Sequence, residues 1–434
     1  MKKVLLGLLI LTVSAGFIFA SGDDEKSASS AVGFNPNKQY TIKIGVFDEL
    51  LDGYTAALES GDFKKMYPNI NVKLIQGDWD GHHERLVTVI AAGDKANDIE
   101  AIDEAYIAGF VTGGGFDNLS AAPYNCSEIT GNIAPFALKN STDSEGNVIA
   151  IPVDIAPAVM FYLSPPVEEA KVSLDNLSVW ADLVTAGQKL TKDRDGDGNP
   201  DQFLLASSED IALVALNNGI GCWFDKNGNV LEPKEKFLSL LKLIKRMGDS
   251  KIIANYEPWG DAWMASYSNR SVIAAISGAW FAGALKGYLS PEQKGNWRVT
   301  KLPGNAYINM GGSFLGIPAN TDSENKAAAW EVLKYLTTNQ KAQLATFETM
   351  SAFPALKSVW DDPAMNEGEE FFGGQKVRKI YADVAKNIPA VTPTEYDPTA
   401  IGIWNTALMS VMEGDLTPEE AYKQVKDQIT ANMD

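Results

Sequence analysis

Histidine and cysteine are the scarcest chemically reactive residues in this sequence, which has 434 residues and two of each. Such a supply leaves few ligands for a transition-metal site built from imidazole and thiolate groups. His82 and His83 are adjacent, and nothing near them supports a Ser-His-Asp or Cys-His catalytic arrangement. We therefore interpret both histidines as polar surface residues at the beginning of a helix.

The two cysteines, Cys126 and Cys222, are 96 residues apart. In an exported protein they could form a disulfide, but the sequence does not show whether their Cα atoms come within bonding distance. A disulfide and two free thiols both remain open from the sequence.

Positive charge is also in short supply, with 37 Lys and Arg residues against 56 Asp and Glu residues and a net charge of −19. Loss of Lys2 and Lys3 by processing takes the net charge to −21. A chain this acidic repels phosphate backbones and anionic membrane surfaces, which argues against binding to nucleic acid or docking to a membrane. The acidic surface is interpreted as a source of solubility.

Only one long apolar run is found, at 4–19, and it follows the positively charged Lys2 and Lys3. Glycine and serine interrupt this run, which is shorter than the roughly 20 residues of a membrane span. Small residues at 20–22 then predict a secretory signal peptide, with a cut after Ala20 as the alternative to 1–22. No cysteine follows the run, so we expect a periplasmic or extracellular protein without a lipid anchor.

The next part of the chain alternates between extended and helical patterns. Strands are predicted at 40–47, 71–75 and 98–103, separated and followed by helices at 50–66, at 84–92 and up to residue 110. This order predicts an α/β fold with a largely parallel sheet covered by helices. Ligands of such sheets bind beyond the carboxyl ends of the strands, here at 47–49, 76–80 and 103–104.

About 400 residues remain after processing, which is too many for one hydrophobic core. Extended runs broken by proline or glycine, at 148–154, 302–304 and 353–354, suit a chain that crosses between two lobes. Between these crossings lies a second unit with helices at 180–190 and 234–249. The predicted organisation is a signal peptide at 1–22, a flexible leader at 23–36, lobe 1 at 37–153 plus 304–352, and lobe 2 at 154–303 plus 353–434.

Several motifs in order resemble those of one known family. They are FKKMYPNINV at 63–72, AAGDKANDI at 91–99, NLS at 118–120, IPVD at 151–154, GAW at 278–280, LP at 302–303, GGSFLGIP at 311–318 and AAAWEVLKYL at 327–336. Together they resemble the sugar-binding extracellular solute-binding proteins of ABC transporters, of the family 1, maltose-binding-protein-like type. The resemblance covers nearly the whole processed chain, and the order and spacing of the motifs carry it.

The resemblance implies a type II periplasmic-binding-protein fold, in which two α/β lobes are joined by three interlobe crossings. It also implies a function: the lobes close around a sugar, and the closed form delivers it to the transmembrane permease of an importer. A chain of this family is expected to be a monomer without enzymatic activity or cofactor.

Sugar recognition combines flat apolar surfaces with hydrogen-bonding carboxylates. Core packing is the alternative for any tryptophan and is preferred for Trp180, Trp297 and Trp330. The resemblance favours Trp280 and Trp404 for stacking on the ligand. The tryptophan candidates for the ligand site are Trp79, Trp259, Trp263, Trp280 and Trp404.

Carboxylates at strand ends and at the first crossing are the polar candidates for ligand contact. Helix capping or a surface position is the alternative for each. Gly312 is predicted to form a tight passage at the floor of the cleft, with a plain turn as the alternative. The carboxylate candidates are Asp48, Asp80, Asp103, Asp154 and Glu209.

One acidic loop has the spacing of a calcium site. Its candidate ligands are Asp193, Asp195, Asp197, Asn199 and Asp201. Leu204 occupies the twelfth position, where an EF-hand loop has a bidentate glutamate, so an intact EF-hand is excluded. A structural calcium ion completed by a distant acid and an acidic turn without an ion both remain open.

Two other function classes remain open beside the sugar-binding reading. An exported carbohydrate-active enzyme would use paired carboxylates as acid and base, but no single pair stands out in the sequence. A binder of another solute, such as a polyamine, would also suit acidic walls.

Overall fold

The computed structural model describes residues 33–60, 62–208, 211, 234–390 and 397–433. The predicted signal peptide, Glu209 and Cys222 lie outside these residues. Across the described ranges, no helix combines the length and the apolar character that a membrane crossing requires.

The strands and helices alternate along most of the chain. The strands are β1 (Tyr40–Phe47), β2 (Ile70–Gly77), β3 (Ile99–Asp103), β4 (Ala150–Pro152), β5 (Asp154–Ile155), β6 (Ala158–Leu163), β7 (Ala274–Gly278), β8 (Trp297–Thr300), β9 (Ser313–Gly316) and β10 (Phe353–Pro354). The helices are α1 (Leu50–Glu59), α2 (Phe63–Met66), α3 (Trp79–Ala92), α4 (Glu104–Gly113), α5 (Ser127–Thr130), α6 (Pro135–Asn140), α7 (Ser164–Glu169), α8 (Trp180–Leu190), α9 (Lys234–Asp249), α10 (Asp261–Ser268), α11 (Phe281–Ala284), α12 (Ser323–Thr338), α13 (Gln340–Met350), α14 (Val377–Ala385), α15 (Asp397–Glu413) and α16 (Pro418–Met433).

Five strands form the first sheet, in the order β2-β1-β3-β9-β4. Strand β1 runs parallel to both neighbours, and its Ile44 pairs with Leu74 of β2 and Ile99 of β3. Strand β9 is antiparallel to β3 and to β4, where Leu315 pairs with Ala101 and with Ile151. The predicted parallel arrangement is confirmed for β1, β2 and β3. Strand β9, which follows the second half of the chain in sequence, adds an antiparallel strand to the sheet.

The second sheet has three strands in the order β7-β6-β8, and both pairings are antiparallel. Every residue of β6 is buried, and this strand lies between the other two in the sheet. Beside this sheet the chain forms two isolated parallel bridges, from Phe203 to Val272 and from Leu205 to Ile253.

Three segments cross between the halves that contain these sheets. Strands β5 and β10 pair antiparallel, with Ile155 opposite Phe353. The third segment bridges Pro157 through Asn309 and then enters β9 at Ser313. Gly304, which the sequence placed in lobe 1, donates its N–H to the carbonyl of Leu177 at 3.1 Å and so lies with the second half. This crossing therefore falls near 309–313, about six residues beyond the predicted boundary.

Two helices differ from their predicted bounds for local reasons. The helix predicted at 50–66 is two helices, α1 and α2, since the first ends at Glu59. Helix α3 begins at Trp79 rather than 84, because the Asp78 carboxylate accepts the N–H of Gly81 at 2.9 Å and caps the first turn. Gly93, at φ +70°, ends this helix as predicted.

Candidate functional site

The carboxyl ends of β1 and β3 bring three predicted site residues together. Asp48 follows β1, Asp103 ends β3, and Trp79 begins α3. The Trp79 N–H donates to Oδ1 of Asp48 at 3.1 Å. Burial raises the pKa of Asp103, while hydrogen bonds from the N–H of Ala105 and from the Trp79 side chain oppose that shift. Two carboxylates and one indole therefore form a single contact group at this edge of the sheet.

His83 lies behind this group and is completely buried, as is nearly all of His82. Its Nδ1 is 2.7 Å from the carbonyl oxygen of Trp79, and its Nε2 accepts the N–H of Asp103 at 3.0 Å. Its ring stacks on Tyr106 with centroids 4.3 Å apart and planes 9° from parallel. The prediction that the two histidines are surface residues is wrong, because the sequence pattern did not show that α3 packs this side on the sheet.

Asp80 differs from its neighbours, since its side chain is exposed in the first turn of α3. An acidic residue at this position is favourable to the helix dipole. Glu209, the other outlying carboxylate candidate, lies outside the described residues.

The second half of the chain contributes a group of three tryptophans. The rings of Trp259 and Trp263 are 4.7 Å apart, and those of Trp259 and Trp280 are 6.0 Å apart and nearly parallel. Trp259 is 49% exposed, whereas Trp263 is buried beneath it and Trp280 is half-buried. The Trp280 Nε1–H donates to the Met310 carbonyl at 2.9 Å. Trp259 and Trp280 therefore present the indole surface of this group, and Trp263 supports it.

Tyr288 connects the two faces of the site. It follows α11 in the second half and is 49% exposed. Burial raises the pKa of its hydroxyl, and the negative charges of Glu49 and Asp48 in the first half raise it further. Asp48 and Glu49 at the end of β1 therefore lie close enough to Tyr288 of the second half to influence its hydroxyl.

Asp154 lies at the floor, where the three crossing segments meet, and only 7% of it is exposed. Its carboxylate accepts hydrogen bonds from Ser313, yet its Oδ1 has no hydrogen-bond partner. Burial raises the pKa of Asp154 to about 7, and the charges of Asp103 and Glu104 act in the same direction. Asp154 is therefore the buried acid of this region with an unused acceptor.

Gly312 passes directly over this acid with φ at +121°. A Cβ at this position would be 2.7 Å from the carbonyl oxygen of Asp154, which no side chain tolerates. The Gly312 carbonyl also accepts the N–H of Glu104 at 2.9 Å. The structure thus places Gly312 in a tight passage at the floor.

Glu104 is a residue of this region that the list of candidates lacked. Its Oε1 accepts amide hydrogens from Asn309 at 2.8 Å and Asn140 at 3.0 Å, and its Oε2 accepts the N–H of Gly311 at 2.7 Å. Burial raises its pKa to about 7 against these hydrogen bonds. Its place directly after a predicted strand end was the signal that could have identified it.

Trp404 does not belong to the site. Its side chain is 0% exposed, and its ring packs edge-to-face on Phe237 at 4.7 Å between α15 and α9. The prediction of ligand stacking is corrected to a core position. The apolar spacing of Trp404, Leu408 and Val411 marks a buried helix face and could have indicated this.

The acidic loop at 193–201 lies apart from the cleft. Carboxylate oxygens of Asp193, Asp195 and Asp197 lie within 4.8 Å of one another, and all three side chains are exposed. Asp193 accepts the N–H groups of Gly196 and Gly198, and these hydrogen bonds lower its pKa. Such bonds occur in acidic turns with and without an ion, so the structural calcium stays a prediction.

Cys126 is buried and its thiol is free among the described residues, which do not include Cys222. Burial raises the pKa of its thiol. Cys126 is therefore a core residue, and it belongs to the same hydrophobic cluster as the buried residues of β1.

Comparison with known proteins identifies the family of this chain and a set of structures with the same fold. The family model for bacterial extracellular solute-binding proteins matches residues 61–373. An arabinooligosaccharide-binding protein of Halalkalibacterium halodurans is 23% identical over 385 residues, covering 85% of this chain and 84% of its own. A protein of the same name from Bacillus subtilis is 20% identical and is covered over 99% of both chains.

Among solved structures, an extracellular solute-binding protein of family 1 superimposes with a TM-score of 0.74 at 20% identity. The match covers 90% of this chain and 99% of that one. At this identity the likeness shows the fold alone. The predicted two-lobe α/β fold is thereby confirmed.

Proposed function

The chain belongs to the family of bacterial extracellular solute-binding proteins, and from that premise we propose that it captures an oligosaccharide between its lobes for an ABC importer. The proposal includes export through the signal peptide at 1–22, action as a monomer without a lipid anchor, and transfer of the sugar to a transmembrane permease.

The observation that carries the proposal is that each half of the chain contributes a different kind of side-chain group. One side presents the indole faces of Trp259 and Trp280, and the other presents the carboxylates of Asp48 and Asp103. Sugar rings have apolar C–H faces and rims of hydroxyl groups, which are both donors and acceptors. A cleft with aromatic surface on one side and acceptors on the other matches both parts of such a ligand.

The names of the relatives narrow the sugar class to be tested first. Both relatives described above are arabinooligosaccharide-binding proteins, so short arabino-oligosaccharides are the first candidates. The proposed movement is hinge closure about the crossings at 153–157, 309–313 and 351–355. Closure requires that the ligand binds the closed form better than the open form, and contacts from both lobes supply that difference.

We also propose that the protein performs no catalysis on the bound sugar. A glycosidase needs two carboxyl groups free to act on one bond. Here Glu104 accepts hydrogen bonds on both oxygens, Asp48 and Asp103 accept bonds from protein groups, and of these four acids Asp154 alone has a buried oxygen without a described partner. Turnover of a chromogenic arabinoside would contradict this part of the proposal.

The test is isothermal titration calorimetry together with thermal unfolding, using the chain without its signal peptide. The panel is arabinotriose, maltotriose, lactose and, for the rival solute class, spermidine. At a hundredfold excess over Kd, a bound sugar adds about 2.7 kcal/mol of stability, which for a chain of this length raises Tm by about 3 °C. Binding of spermidine alone, or no heat and no Tm shift with any sugar, would overturn the proposal.

Trp280→Ala locates the binding within the cleft. We expect its affinity for the bound sugar to fall at least tenfold, a loss of about 1.4 kcal/mol, because an indole face is removed. Trp180→Ala is the matched control, since Trp180 is also half-buried in the second half but begins helix α8. Equal affinities of the two variants would place the sugar elsewhere.

A further inference from the structure

We propose that His83 is a positioning residue of the ligand site, whose neutral imidazole, fixed in one tautomer, orients both Trp79 and Asp103. The inference rests on the proposed function in one respect, that Trp79 and Asp103 face the ligand. It deepens that proposal by naming the buried group that sets the geometry of the first lobe's side of the cleft.

The tautomer follows from the partners of the two ring nitrogens. The backbone N–H of Asp103 is a donor only and points at Nε2 from 3.0 Å, so Nε2 carries no hydrogen. The carbonyl of Trp79 is an acceptor only and lies 2.7 Å from Nδ1, so Nδ1 carries the hydrogen. One ring therefore ties the first turn of α3 to the end of β3, and it does so in a single protonation state.

The same residues close a ring of contacts. The Trp79 N–H is held by Asp48 at 3.1 Å, its carbonyl by His83, and its indole by the Asp103 carboxylate. Asp103 is held in turn by His83 through its own N–H. The His83 imidazole therefore holds the backbone of Trp79 on one side and the backbone of Asp103 on the other. Through these contacts it fixes the position of the Trp79 indole and of the Asp103 carboxylate.

Packing leaves the imidazole one orientation. The ring lies flat against Tyr106 at 4.3 Å and contacts Phe47 at 4.8 Å on another side. His83 is completely buried, so water does not replace either hydrogen bond. A rotated or displaced ring would lose the stack and both hydrogen bonds at once.

Protonation of this ring would oppose the arrangement, because Nε2–H would face the N–H of Asp103. The ionisable groups of the surrounding elements are Asp80, His82, Glu84 and Arg85 on α3, Asp48 and Glu49 after β1, Glu100 and Asp103 on β3, and Glu104 and Tyr106 on α4. Burial lowers the pKa of His83 to about 4, and the neighbouring His82 lowers it as well, against the hydrogen bond to Trp79. The positioning state is therefore the state present at neutral pH.

His82 provides a matched control on the adjacent position. It is nearly as buried, and its Nε2 lies 2.8 Å from the carbonyl of Ala101 in the middle of β3. It makes no hydrogen bond to Trp79 or Asp103 among the described contacts. His82→Gln should therefore reproduce the stability cost of changing a buried histidine, including the loss of its ring contact with His83 at 5.0 Å, while both hydrogen bonds of His83 remain.

The first measurement needs no ligand. Long-range ¹H–¹⁵N NMR of the full processed chain at pH 7 should show His83 as the Nδ1–H tautomer. The indole N–H signal of Trp79 should shift in His83→Gln and His83→Phe but remain in place in His82→Gln. An Nε2–H or charged His83, or an unmoved Trp79 signal in both His83 variants, would overturn the proposal.

The second measurement is the affinity for arabinotriose. We expect His83→Phe to bind at least tenfold more weakly than wild type, and His83→Asn, which keeps a donor near Nδ1, to recover part of that loss. His82→Gln should bind like wild type although its Tm also falls. Equal loss of affinity in His82→Gln and His83→Gln would show a merely structural role.

The two proposals fail in different ways. Wild-type protein that binds none of the sugars defeats the proposed function, and the tautomer and the Trp79 signal still decide the role of His83. Wild-type protein that binds arabinotriose with unchanged affinity in His83→Phe supports the proposed function and defeats the positioning role.

Discussion

The carboxyl groups at the floor of the cleft differ mainly in the number of hydrogen bonds that they accept from protein groups. Glu104 accepts three hydrogen bonds, from two asparagine amides and one backbone N–H. Asp154 is more deeply buried and keeps one oxygen without a partner. A buried acceptor left unpaired is costly to a folded protein, so Asp154 has a measurable effect on stability.

The protonation of Asp154 predicts how stability changes with pH. Burial raises its pKa from 3.8 to about 7, so the folded chain binds this proton more tightly than the unfolded chain. The stability it contributes is full below about pH 4 and is lost as pH rises through about 7. Calorimetric Tm should therefore be higher at pH 5 than at pH 8, and Asp154→Asn should reduce that difference.

Asp80→Asn is the control for this pH series, because Asp80 is exposed and makes no comparable burial contact. The raised pKa of Glu104 acts with the same sign, so part of the pH dependence should persist in Asp154→Asn. Identical pH profiles of Tm in wild type and Asp154→Asn would contradict the prediction.

Among the strands and their connections, the passage at Gly312 is the most sterically restricted. A Cβ there would meet the Asp154 carbonyl oxygen at 2.7 Å, and the φ of +121° disfavours any side chain. We expect Gly312→Ala to lower the free energy of unfolding by about 2 kcal/mol or more, measured by urea denaturation.

Gly109→Ala is the matched control for this substitution. Gly109 lies in α4, and a Cβ there would meet nothing within 4 Å. Alanine in that helix should raise the free energy of unfolding by about 0.5–1 kcal/mol. Similar effects of the two substitutions would show that the crossing at 309–313 is not sterically restricted.

Local sequence pattern predicted β1 with its observed bounds and the alternation of strands and helices up to α4. These elements were predictable because their periodicity depends on burial along one short segment. Strand β9 has the same kind of pattern, but its antiparallel place between β3 and β4 depends on segments that are distant in sequence. The parallel order was therefore predictable and the mixed sheet was not.

The site was predictable to the extent that it follows strand ends. Asp48, Trp79 and Asp103 were identified by that rule, and the structure brings them into contact. Two predictions were wrong. Trp404 was predicted to contact ligand, although its helical spacing indicates a buried helix face. His83 was predicted to lie on the surface, because its buried hydrogen-bond partners are distant in the fold and leave no local pattern. Tertiary packing decides which face of a helix contacts a sheet. The type of a single residue therefore does not predict whether it lies on that face.

Over the residues that the structure describes, short adjacent crossings join the two lobes. Such a connection permits rotation of one lobe against the other with changes in few backbone angles. We expect saturating arabinotriose to decrease the radius of gyration measured by small-angle X-ray scattering. Trp280→Ala should need at least tenfold more sugar for the same decrease, and unchanged scattering of sugar-loaded wild type would contradict closure.

The position of β9 has a consequence for how the protein acquires its structure. Within the described residues, β4 joins its sheet only through β9, although β4 ends at Pro152 and β9 begins at Ser313. The ribosome must therefore synthesise the first and larger segment of the second lobe before the first lobe can complete its hydrogen-bond ladder. Long sequence separation of this kind slows folding. A nascent or truncated chain that stops before 313 carries an unpaired strand edge, which is a site for aggregation and for chaperone binding.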